Sequence, residues 1–111
     1  MSNFIDYRTR VGTKANKFYK ATLFRSDQLL LGLNCLEPGQ TQHVHTHDDQ
    51  DKFYFVLEGE GEFVVGEERQ TAGAGMTIWA PGGVPHGVSN KSDAQVVILM
   101  GIAPAPGRKK S

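Results

Sequence analysis

The stretch QHVHTHDDQDKFYFVLEGEG, residues 42–61, sets His43, His45 and His47 on alternate positions and follows them with DDQD and Lys52. In an extended strand successive side chains point to opposite faces, so the three imidazoles are expected to share one face, about 7 Å apart at two residues' rise each. A row of this kind can offer a metal neighbouring nitrogen ligands. Lys52 stands where one more anionic ligand would be expected.

On either side of this stretch, thirteen glycines and five prolines divide the chain into short segments. None carries a convincing apolar stripe of helical period over three turns. Strands are expected at KFYKATLF (17–24) and QLLLGLNCLE (28–37), separated by RSD and stopped by Pro38-Gly39. After the histidine strand and the acidic turn DDQD come KFYFVLEG (52–59), GEFVV (61–65), a hairpin at GEE, and RQTA (69–72). Then follow MTIWA (76–80), the turn PGGVP before His86, and AQVVILMGIA (94–103). Some eight to ten short strands with frequent turns predict an all-β sandwich, jelly roll or barrel. Residues 1–17 read as a lead-in arm or edge strand, 18–103 as the barrel and 104–111 as a flexible tail, all in a single domain.

At 111 residues the chain is long enough for one hydrophobic core and too short for two ordinary domains. Twelve basic residues balance twelve acidic ones, so no summed field draws the chain to nucleic acid or to an anionic membrane. GRKKS at the end reads as a solvated tail. The single cysteine, Cys35, excludes an intrachain disulfide and suits a reducing cytoplasm; in LLLGLNCLEPG it reads as a buried structural thiol. No signal peptide or membrane-spanning run is visible, so a cytoplasmic protein is expected.

Two spaced patterns in the sequence resemble the signatures of the cupins. The first is a glycine, five residues, His-x-His, three or four residues, a glutamate, six residues and a glycine. Gly39, QTQHV, His45-Thr46-His47, DDQD, Lys52, FYFVLE and Gly59 match every spacing, with lysine at the glutamate position. The second runs glycine, five residues, Pro-x-Gly, two residues, His, three residues, Asn. Gly75, MTIWA, Pro81-Gly82-Gly83, VP, His86, GVS and Asn90 match it without departure.

The resemblance implies a double-stranded β-helix, the RmlC-like jelly roll, with a mononuclear metal at His45, His47 and His86. The metal would be iron, manganese, zinc or nickel, acting on a small molecule in a dioxygenase-type or isomerase-type reaction. Asp51 is the obvious substitute for the missing glutamate, since strand parity allows only one of positions 51 and 52 to face inward and a one-residue bulge would select it. Periodicity leaves the choice open, because Phe53, Tyr54, Phe55, Val56 and Leu57 are all apolar. His43 is assigned a supporting place beside the ligands, and Lys52 and Tyr54 are the catalytic candidates on one face. In the alternative, a metal-free barrel uses Lys52 and the histidines to hold an acidic ligand. Trp79, Phe53, Phe55, Phe63 and Met100 are expected in core or interface, and Asn90 at a turn. The resemblance also implies a homodimer, with Phe4, Ile5 and Tyr7 available for a swapped strand.

Overall fold

A computed structural model describes residues 2–107. After a short 3-10 turn at Tyr7–Thr9, nine strands follow: β1 Tyr19–Arg25, β2 Leu30–Leu36, β3 Thr41–His45, β4 Asp51–Glu58, β5 Glu60–Val65, β6 Glu68–Gly73, β7 Thr77–Ala80, β8 His86–Ser89 and β9 Val96–Ala103. They form two antiparallel sheets, one in the order β1-β2-β9-β4-β7 and the other β3-β8-β5-β6. This is the all-β jelly-roll barrel expected from the sequence. No helix among the described residues is long and apolar enough to cross a membrane.

The core lies between the sheets, built from Leu36, Tyr54, Val56, Phe63, Ala72, Val88, Val96, Ile98, Met100 and Ile102. A second cluster, Leu33, Cys35 and Val97, sits on the outer face of the larger sheet, covered in part by Tyr7 and Val11 of the N-terminal segment. Strands β2, β4 and β9 therefore bury apolar residues on both faces. The arm is tied to its own barrel: Gln40 Nε2 donates to the carbonyls of Lys14 and Lys17, Gln95 Nε2 donates to that of Gly12, and the Tyr7 hydroxyl donates to Glu58. Between Tyr7–Thr9 and β1 the arm has no strand, in contrast to the edge-strand expectation, and Phe4 is exposed. Cys35 is buried, and desolvation pushes its thiol pKa up, as befits a structural cysteine.

At the other end, Pro104–Gly107 depart from the expected flexible tail. The Ala105 N–H donates to the Asp27 carbonyl, Gln50 Nε2 donates to the Pro104 carbonyl, Arg25 donates to the Pro106 carbonyl, and Ala105 is buried. The remainder of the expected tail lies outside the described residues.

Local features shape the two ends of the barrel. Between Gln42 and His45 the register of β3 against β8 slips, so that Gln42 faces Val88 and His45 faces His86 while His43 and Val44 have no partner of their own. This bulge packs directly on Gly87, where a Cβ would stand 2.8 Å from the Gln42 carbonyl oxygen and 3.0 Å from the Val44 nitrogen. At the other end of the barrel Asn90 closes the loops: its Nδ2 donates to the Leu36 and Ala94 carbonyls, and its Oδ1 accepts from the backbone N–H and hydroxyl of Ser92.

Candidate metal centre

His45 closes β3 and His86 opens β8, and the two are direct cross-strand partners with ring centroids 4.5 Å apart. His47 lies two residues beyond the end of β3, its ring 4.8 Å from that of His45 and 5.6 Å from that of His86. The candidate ligand atoms of the three lie within 4.8 Å of one another. Ligands on one metal at about 2 Å each stand about 3 Å apart, a separation that modest side-chain rotation supplies.

The ring orientations suit ligation. His45 Nδ1 lies 2.8 Å from the His43 carbonyl and His86 Nδ1 lies 3.0 Å from the Val84 carbonyl. A carbonyl can only accept, so in each ring Nδ1 carries a proton and Nε2 is the nitrogen left to face a metal, the orientation that a metal-binding histidine needs. His86 Nε2 is buried and has no hydrogen-bond partner among the described residues. An orphaned, inward-aimed imidazole nitrogen is costly unless a ligand or ion satisfies it. Desolvation lowers the pKa of His47, with the charges of His45 and Lys52 adding to it. Desolvation also lowers His86, against a smaller opposing effect of its bond to Val84. Both shifts favour the neutral imidazole, the form that binds a cation. The donor set fits a divalent transition metal.

The expected row of three histidines is not what the backbone builds. Because of the bulge, His43 turns out to solvent and Gln42 takes the buried inward position. His43 serves the site through its carbonyl, which holds the His45 ring, and not through its imidazole. Gln42 was not singled out in the sequence, and no side-chain pattern marks it; only the bulge brings it inside. Its Oε1 accepts the Tyr54 hydroxyl proton at 2.5 Å. Tyr54, expected to offer a hydroxyl to the cavity, is fully buried and spends it on this bond, and burial raises its phenol pKa.

In β4 the parity question resolves toward Lys52. Lys52, Tyr54 and Val56 are buried, whereas Asp51 is exposed and Phe53 and Phe55 are half-buried. Asp51 is therefore not a substitute ligand. Its Oδ1 accepts the Gly82 N–H at 2.9 Å and braces the Pro81–Gly83 turn from the outer side. Lys52 is 2 % exposed and its Nζ lies 4.7 Å from the centroid of the Tyr54 ring. It has no carboxylate partner among the described residues. Burial, with a contribution from the charge of Lys20, brings its pKa down to about 8.

Phe63 and Met100 enter the core as expected, but Trp79 is exposed and Met76 lies beside it. The groove they form with Val65, Ala72 and Ile78, between β6 and β7, contains none of the three histidines.

A family model described as a cupin domain matches residues 32–102. The chain is a cupin. Its barrel is similar to the crystal structure of TT1209 from Thermus thermophilus, with 39% identity and a TM-score of 0.92 over 95% of this chain and 100% of that one. It also resembles a protein described as a predicted oxalate decarboxylase from Thermotoga maritima, at 24% identity and a TM-score of 0.72 over 76% of this chain and 77% of that one. Among curated sequences, an uncharacterized protein of Methanocaldococcus jannaschii is 24% identical over 93 residues, covering 84% of this cupin and 74% of the relative. The match shows the double-stranded β-helix, and the clustered histidines make this cupin a candidate metal-binding member of the family.

Proposed function

We propose that this cupin is a cytoplasmic metal-dependent enzyme of the dioxygenase or isomerase type, acting as a homodimer on a small molecule inside the barrel. The observation that carries the reading is the convergence of His45, His47 and His86, with the buried Nε2 of His86 left without a partner. Iron or manganese there would supply redox chemistry with dioxygen, and zinc or nickel would polarise a carbonyl. His45, His47 and His86 would hold the ion. The His43 and Val84 carbonyls fix two of the rings, and Lys52 is the charged side chain free to contact a bound molecule.

Elemental analysis of protein purified without a metal-affinity tag tests the reading. Near-stoichiometric transition metal is expected, and a His47→Ala variant is expected to lose it. A metal-free preparation that cannot be reloaded would instead favour the second reading, in which Lys52 and the histidines hold an acidic ligand directly. The buried, unpaired Lys52 is the observation that favours that alternative.

A further inference from the structure

The interior of the barrel is one-sided in charge. Among the described residues the buried polar and charged ones are Asn34, Gln42, Lys52, His86 and Asn90, and none of these is acidic. Asp48, Asp49 and Asp51, the carboxylates nearest in sequence, are exposed, and Asp51 is engaged by the Gly82 N–H on the outer face. A dication on three neutral imidazoles, beside the Lys52 ammonium, would therefore add up to three positive charges with no protein anion among the described residues to offset them. Charge of that density in a desolvated site is costly until an anion enters it.

We propose that the substrate brings the missing charge: a small dianionic organic acid, one carboxylate of which lies toward the metal while the other accepts hydrogen bonds from Lys52 Nζ. The inference rests on the metal reading given above. A dianion would reduce the excess from three charges to one, whereas a monocarboxylate would leave two. Lys52 is suited to the task, since the Tyr54 ring holds its ammonium by one face at 4.7 Å and leaves N–H donors for a ligand. The Tyr54 hydroxyl does not compete for the ligand, because Gln42 already accepts its proton. The lysine at the position where the cupin pattern has a glutamate thus leaves the site two charges more positive than that pattern would, and a dianionic substrate supplies those two.

The test uses full-length protein stripped by chelation and reloaded with Co(II), whose visible spectrum reports its coordination. Malonate is the dianionic probe and malonamide its neutral counterpart. Wild-type protein is expected to bind malonate with a change in the Co(II) bands and to show no response to malonamide. Lys52→Met is expected to keep Co(II) and weaken malonate by at least about tenfold. Lys52→Gln serves the same comparison if the methionine variant does not fold. Loaded variants that bind malonate as tightly as wild type, or loaded wild type that ignores malonate, would overturn the inference while leaving the metal centre standing. Wild-type protein that takes up no Co(II) would bring down the metal reading itself, and this inference with it.

Discussion

The ammonium of Lys52 stands 4.7 Å from the centre of the Tyr54 ring, with both residues on the inner face of β4 and both buried. The ring face compensates only part of the desolvation of a charge that has no carboxylate beside it. Lys52→Met is therefore expected to stabilise the metal-free, ligand-free protein, by on the order of 1–3 kcal/mol in denaturant unfolding.

The same lysine gives a pH signature. Its folded pKa of about 8 lies below the ordinary 10.5. Between those values the unfolded chain binds a proton that the folded one does not, so stability rises with pH through this window and falls again as pH drops toward 8. Other groups titrate there too. The measurement is accordingly the difference in unfolding free energy between wild type and Lys52→Met from pH 7 to 11, and a flat difference would contradict the burial of the ammonium.

Lys52→Glu places a carboxylate on the same inward path and removes a repelling charge. Metal affinity measured by competition with a chromophoric chelator is expected to rise at least about tenfold. Unchanged affinity would show that position 52 does not look at the metal.

Asp51→Ala is the complementary case. Its carboxylate caps the Gly82 N–H on the outer side, so the variant should retain wild-type metal content while losing about 1 kcal/mol of stability. Loss of metal without loss of fold would return Asp51 to the ligand set.

Tyr54→Phe leaves the buried Gln42 Oε1 without its donor. A cost of about 1–3 kcal/mol is expected in thermal or denaturant unfolding, because an unsatisfied buried acceptor loses its hydration with no bond in return. A stability equal to wild type would mean that Gln42 reaches another donor.

The barrel was legible from turn residues and strand-forming runs, and the histidine pairing from the spacing of Gly39, His45, His47 and Gly59 against Gly75, His86 and Asn90. The facing of β4 was not. Alternation disappears where both sides of a strand are covered, and Leu57 on the outer face packs into the cluster that Tyr7 and Val11 join while Tyr54 and Val56 fill the core. The exclusion of His43 was equally hidden, since a bulge changes which residues share a face without changing any residue. Gly87 was its one trace, and a glycine beside a histidine suits a tight turn or a close backbone approach as readily as a bulge.

That bulge has an effect on how the protein can change. By taking His43 and Val44 out of the regular pairing, it costs the sheet some cohesion and supplies His45 with the carbonyl that sets its proton on Nδ1. A shortened or straightened β3 would knit the sheet more tightly and let the His45 ring swing free. Sturdiness and metal grip are thus opposed at one point of the backbone, and variants selected for heat resistance alone would be drawn toward losing the centre.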